Sequence, residues 1–345
     1  MTFVYILLTI LLLDILVIFH EGGHYTAARL SGIKVNEFSV GMGPCVFSHT
    51  SGRTGIKYAF RALPIGGFVA MEGEDGDSEN SSAFCNRPLI LRICTVLAGP
   101  FMNVLIGFLC MFILVCVSVT PVSTEIYGFQ DGATSCAEGG LMAGDTVLKV
   151  GKTSVHSGNE LVYEITNKGY EPLTLTVIRD GEKLVLENVV FPTEEEDGVV
   201  FGCYDFIMKS AEKSLKNIIT HSFWRSCSTV KMIIDSLSDM IKGRYGVESV
   251  SGPIGISSVV GEAAKTSFSS LFYLFIVIAI NLGIMNLLPF PALDGGRLLL
   301  LIIEGIIGRP VPKYIENAIN SAGFVLLMVL TFLITAKDIL GLFGT

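Results

Sequence analysis

TFVYILLTILLLDILVIFHEGGH, residues 2–24, joins a strongly apolar run to a cluster of three ionisable side chains, His20, Glu21 and His24. The run is long enough to cross about 30 Å of hydrocarbon as a helix, which takes roughly 20 residues. It lacks the basic start and small-residue cleavage site of a secretory leader and runs straight into HEGGH, so it is expected to persist as a first span. Working outward, three further apolar stretches near 93–119, 269–288 and 318–336 give about four spans. With 50% hydrophobic and only 16% charged residues, the composition is that of a membrane protein. A net charge of −8 with no basic stripe argues against nucleic acid as a partner.

Between spans one and two, NEFSVGMGPCVFSH (36–49) and IKYAFRALPIGGFVAM (56–71) alternate and carry glycines, the pattern of short β-hairpins. Gly41, Gly43, Gly66 and Gly67 sit beside apolar residues that can enter the bilayer, where open strand edges need protein or a water-filled cavity beside them. From 121 to 205 the composition becomes that of a small soluble α+β domain, with LTLTVIRDGEKLVLENVVF (173–191) turning at Asp180-Gly181 and the loop GGLMAGDTVLKVGKTSV (139–155). Residues 206–265 read as amphipathic helix, with apolar positions at 215, 218, 219, 223, 230, 233, 234 and 237, followed by the loop SVSGPIGI (249–256). The expected segments are therefore 1–30, 31–87, 88–120, 121–205, 206–265 and 266–345. Eight scattered cysteines form no C-x-x-C pair and are expected to be thiols, a Cys136–Cys203 disulfide staying open.

Lys and Arg in the short loops set the orientation. Arg29, Lys34, Arg53, Lys57, Arg61, Arg87 and Arg92 between spans one and two, and Arg297, Arg309 and Lys313 between spans three and four, place both loops in the cytoplasm. The 121–205 domain is then extracytoplasmic.

His20 and His24, four apart on a helix, project from one face, with Glu21 displaced by one residue. This is the H-E-x-x-H zinc pattern: two imidazoles and a third protein ligand hold the ion, a water fills the fourth position, and the Glu takes that water's proton. Three ionisable groups at a membrane helix end are costly unless they serve a site. For the third ligand, the residues that follow offer Glu37 and His49, and the distant NLLPFPALDGGR (286–297) offers Asp294. Crossing spans one, two and three brings Asp294 to the same face as the two histidines.

Taken together, HEGGH at 20–24, N-x-x-P-x-P-x-L-D-G at 286–295, G-x-G at 41–43, P-x-G-G-F-V at 64–69, AGPFMN at 98–103 and SGPIGI at 251–256 make the chain similar to the site-2 protease family of intramembrane zinc metalloproteases, in its bacterial PDZ-containing group related to regulators of membrane-stress signalling. The resemblance covers essentially the whole chain. It implies a polytopic α-helical membrane protein of about four spans with membrane-associated β-hairpins and one inserted extracytoplasmic PDZ-like domain. It implies one Zn2+ per chain held by His20, His24 and Asp294, with Glu21 as the general base. Asn286 is then expected to bind substrate or the developing oxyanion, Pro289 and Pro291 to break the third span, and the hairpin at Gly41 and Gly43 to hold substrate as an added strand. EGGLMAGDTVLKVGK (138–152) resembles a PDZ loop, in which Gly140 and Leu141 belong to a site for a peptide C-terminus; a lid that excludes bulky ectodomains is the alternative. The implied substrates are single-span membrane proteins such as anti-sigma factors or signal-peptide remnants, cut in the bacterial inner or plasma membrane with the active site towards the cytoplasm. A transporter fits less well, because four spans without a duplicated hydropathy pattern are few. A non-catalytic adaptor leaves Glu21 without a purpose.

Overall fold

In the computed structural model, residues 2–74, 76–137, 139–196, 198–244 and 252–343 are described. The chain divides into two compact units, Met1–Gly107 with Val250–Thr345, and Phe108–Ser249. Among the described residues, four helices are long and apolar enough to cross a membrane: α1 (Thr2–Leu30), α2 (Leu89–Val117), α6 (Phe268–Asn286) and α8 (Lys313–Phe343). They fall where the apolar stretches lie, but α1 runs six residues past His24, so HEGGH sits inside a helix rather than at its end. The helix stops at Leu30 and the chain turns at Gly32, whose φ of +67° favours glycine.

In the first unit, β1 (Val35–Thr50) and β2 (Lys57–Met71) form one long bent hairpin rather than several short ones. Val35–Val40 is antiparallel to Gly67–Met71, and Cys45–Thr50 to Lys57–Arg61. The bends between these halves lie at Gly41, Gly43 and Gly66, all with positive φ. A further set of partners, Glu37 with Lys57 through Val40 with Phe60, means that the first half of β1 touches β2 on both sides. Among the described residues, Gly67–Met71 therefore has a single strand neighbour. Asp14, inside α1, accepts a hydrogen bond from Gly66 N–H at 3.2 Å and ties the second bend to the helix.

Helices α5 (Pro253–Thr266) and α7 (Asp294–Ile307) complete this unit. Of the loop expected at 249–256, residues 249–251 lie outside the described set. The next amides, Gly252 and Gly255 N–H, donate to Asp338 Oδ2 of α8 at 3.0 and 2.9 Å. The core joins Ala28, Val69, Met71, Val96 and Leu301 beside HEGGH. Arg92 of α2 clasps Glu304 of α7 with both guanidinium amines, and Arg297 of α7 pairs with Glu74 just past β2.

The second unit is built on a sheet of order β10-β3-β4-β6-β7, comprising β3 (Val122–Phe129), β4 (Thr146–Val150), β6 (Leu173–Arg179), β7 (Glu182–Val189) and β10 (Phe206–Ser210), with β5 (Thr153–Ser154) beside β4. The Asp180-Gly181 turn joins β6 to β7 with positive φ at both positions. Since β10 pairs with β3, the sheet continues five residues beyond the boundary expected at 205. Helix α3 (Gly158–Lys168), capped by Ser157, packs Leu161 and Ile165 into a core with Ile126, Val147, Leu175 and Phe206. A separate hairpin pairs β8 (Thr193–Glu196) with β9 (Val199–Gly202).

Helix α4 (Leu215–Ile241) buries His221, Ser222, Ser226 and Thr229, while Leu215, Ile219, Phe223 and Ile234 are exposed. Its polar side faces α3, through Tyr163 Oη donating to Asp235 at 3.0 Å and through a Lys231–Glu164 ion pair. All eight cysteines are free thiols, Cys136 and Cys203 included.

Candidate metal centre

One turn of α1 separates His20 from His24, and their rings meet edge to face with centroids 4.8 Å apart. The Nε2 atoms are 3.2 Å apart. Asp294 opens α7, where a carboxylate also complements the positive end of the helix dipole. Its Oδ2 lies 3.0 Å from His20 Nε2 and 3.3 Å from His24 Nε2. The chain reaches this point through turns at Pro289 and Pro291, which end α6 at Asn286 and fold back over the start of α7. A Cβ on Gly295 would stand 2.1 Å from Leu288 O, and one on Gly296 2.3 Å from Phe290 O, so the fold-back requires both glycines.

Among the described residues, these three form the one cluster able to hold a metal ion. Tetrahedral ligands about 2.0–2.1 Å from zinc stand about 3.3 Å from one another, close to all three separations here. Although Asp294 Oδ2 is near both rings, neither contact has hydrogen-bond geometry, and the atom is buried with no partner. A buried carboxylate oxygen left unpaired costs on the order of 1–3 kcal/mol or more, and a shared cation removes that cost. The residues fit zinc.

Helix α2 supports the imidazoles from behind. His24 Nδ1 donates to Thr95 O at 2.9 Å, because a carbonyl only accepts, so that in the neutral ring the Nε2 lone pair faces Asp294. His20 Nδ1 lies 3.3 Å from the amide nitrogen of Asn103, whose side chain is fully buried. Between them, Gly99 lets the His24 ring rest on the helix backbone, since a Cβ there would sit 2.3 Å from Nε2. A Cβ on Gly23 would come within 2.2 Å of Ala98 O, so both helices are bare where they cross.

Glu21 and the three clustered residues line a cavity of about 210 Å³ together with Phe68, Val69, Met71, Glu74, Val96 and Arg297. Gly67 lies over Glu21, with a Cβ position 3.6 Å from Glu21 Cγ. A second cavity, of about 450 Å³, lies beyond Asp294 and reaches Asn320, Ser321 and Phe324 on α8.

The other anticipated residues lie elsewhere. Gly41 and Gly43 make the hairpin bend and are absent from the cavity wall, which is formed by Phe68, Val69 and Met71 of β2. Asn286 ends α6 and does not line the cavity either. Pro291 packs against Gly323 of α8. Glu37 is held by Arg61 and Lys57 at 2.6 and 3.1 Å, and His49 is an exposed residue of β1 opposite Tyr58, so neither joins the cluster. In the second unit, Gly140 N–H donates to Ala137 O at 2.7 Å and Leu141 N–H to Ser135 O at 2.9 Å, which occupies both amides expected to receive a carboxylate. Thr95, Gly99 and Asn103 were not anticipated as parts of the site. Their spacing of four and four on one helix face is the signal that could have found them.

Comparison with known proteins agrees with this geometry. The model of peptidase family M50 matches residues 8–330. A Clostridium acetobutylicum protein bearing the name of a zinc metalloprotease is 34% identical over 98% of both chains. The regulator of sigma-W protease of Bacillus subtilis is 26% identical, and a zinc metalloprotease of Bacillus licheniformis 28%, each alignment covering 97% of this chain and 98% of the relative. The chain is a multi-pass membrane metalloprotease with zinc as its cofactor, and it belongs to peptidase family M50, the site-2 protease family.

Proposed function

We propose that this protein cuts transmembrane segments of single-span membrane proteins, with His20, His24 and Asp294 as the zinc ligands and Glu21 as the proton carrier. The observation that carries this reading is the triangle of two Nε2 atoms and one Oδ2, its imidazoles on α1, a helix apolar enough to span a bilayer, and its carboxylate at the start of α7. Zinc bound there supplies a Lewis acid that polarises a carbonyl and lowers the pKa of water towards about 7. Glu21, in the wall of the same cavity, takes the proton from the attacking water and returns it to the leaving amine. Gly67–Met71, with its single strand neighbour, offers backbone to an unwound substrate segment, and the bare Gly67 lets that strand lie close over Glu21. The cavity beyond Asp294 gives the peptide room between α7 and α8. Asn286 and the broken backbone at Pro289 and Pro291 are assigned to substrate contact on family resemblance.

The basic residues around β1 and β2 and after α7 orient the metal towards the cytoplasm of a bacterial cell, and the 122–210 unit, read as PDZ-like, towards the outside. For that unit a size-excluding lid is the better reading. A peptide carboxylate would have to displace the Gly140–Ala137 and Leu141–Ser135 bonds, and Arg179, paired with buried Asp145 and bonded to Gly140 O, pins the loop. The substrates suggested are anti-sigma factors and signal-peptide remnants.

The test is Glu21→Gln in lipid vesicles with a single-span model substrate. Zinc content is expected to stay at one per chain while cleavage falls by about a thousandfold, the middle of the 10²–10⁴ range for proton transfer by a positioned side chain. Cleavage at the wild-type rate would remove Glu21 from the reaction.

A further inference from the structure

Both imidazoles of the proposed ligand set present Nε2 to Asp294, so both must carry their ring proton on Nδ1. For His24 the reason is visible in the Thr95 carbonyl. For His20 the group behind Nδ1 is the Asn103 side-chain amide, fully buried on the adjacent face of α2 two turns further on. As placed, Asn103 turns its Nδ2 to the ring and leaves Oδ1 buried with no partner. In that arrangement His20 Nδ1 accepts, and the ring proton falls on Nε2, the atom 3.0 Å from Asp294 Oδ2 and 3.2 Å from His24 Nε2. A protonated Nε2 has no lone pair for a metal.

A half-turn of the Asn103 amide exchanges its two ends in the same space. Oδ1 then accepts from Nδ1–H, and Nε2 faces the other two ligand atoms unprotonated. The exchange swaps one unpaired amide end for the other, so the choice is made at the ring, and it goes with whether a cation is there. We infer that Asn103 is a positioning residue: its Oδ1 accepts the Nδ1 proton of His20 in the zinc-loaded enzyme and fixes the tautomer and tilt of that ligand. This rests on the ligand assignment proposed above. AGPFMN thereby acquires a physical purpose, with Gly99 seating one imidazole and Asn103 orienting the other.

The test measures zinc affinity by chelator competition on the full-length protein in lipid nanodiscs, with the melting temperature of the metal-free form alongside. Asn103→Leu keeps similar bulk and removes the acceptor; zinc should bind 10–100-fold more weakly, the usual effect of losing such a partner. Asn103→Asp keeps an oxygen acceptor but cannot donate as a carboxylate, and should bind zinc at least as tightly as wild type. The Asp variant decides the matter even where the Leu variant fails to fold, since a donor role for Asn103 predicts a loss there. Wild-type affinity in Asn103→Leu, or an equal loss in both variants, overturns the inference. His20→Ala is the control: if it binds zinc as wild type does, the ligand assignment fails and the role of Asn103 with it, whereas a loss in His20→Ala beside an unaffected Asn103→Leu sinks the inference alone.

Discussion

Gly99→Ala adds one methyl group to α2, and the structure fixes where it goes. The new Cβ would lie 2.3 Å from His24 Nε2, 2.5 Å from Cε1 and 2.8 Å from Cδ2. Restoring ordinary contact at about 3.4 Å requires the ring to move by about 1 Å. It has little freedom to do so, because Nδ1 is held by Thr95 O at 2.9 Å and the face towards α7 meets Asp294. Metal–ligand distances tolerate about 0.2 Å, so a shift of that size removes His24 from the proposed ligand set. Losing a supporting group behind a ligand costs up to about 100-fold in affinity, and losing the ligand itself costs at least that, or about 3 kcal/mol. Zinc affinity of the purified variant by chelator competition, with far-ultraviolet circular dichroism to confirm folding, measures the effect. Gly22→Ala is the matched control: it lies in the same motif as His24, nothing stands within 4 Å of its Cβ position, and zinc binding should be unchanged. Wild-type zinc affinity in a folded Gly99→Ala protein would refute the claim that the ring is wedged between α2 and Asp294.

Further outcomes are expected. Asp294→Ala should abolish stoichiometric zinc as well as cleavage, measured by metal analysis of the purified protein; full zinc content would require another third ligand. In the second unit, burial and the nearby Arg225 cation push the His221 pKa down to about 4. The unfolded chain, with His near 6.5, takes up the proton first as pH falls, so this residue removes stability between about pH 6.5 and pH 4, on the order of 3 kcal/mol in total. The melting temperature of wild type should drop across that window, and His221→Gln should flatten the drop; equal slopes would exclude His221 as its source.

The chemistry was legible in the sequence wherever it depended on spacing along one element. HEGGH declares its own geometry, since positions four apart share a helix face, and DGG after two prolines marks a carboxylate at a helix start. Contacts made by adjacent elements were hidden. AGPFMN carries no ionisable group, and only the crossing of α1 over α2 reveals that Thr95, Gly99 and Asn103 face the imidazoles. Gly41 and Gly43 mark one bend of the hairpin, whereas the strand that lines the cavity with His20, His24 and Asp294 runs on from the next bend, at Gly66. Helix α4 was recognised as amphipathic, while the direction of its polar side depended on partners such as Glu164 and Tyr163 that lie over 50 residues away in sequence.

Asp294 follows His24 by 270 residues, and among the described residues no side chain from the first half of the chain completes a metal-sized cluster with the two imidazoles. During synthesis, the ribosome therefore releases both imidazoles long before the carboxylate exists. On the proposed ligand set, a nascent or prematurely terminated chain that stops short of Asp294 lacks its third ligand, so a protease made among the membrane proteins it could damage stays inert until α7 has been threaded into place.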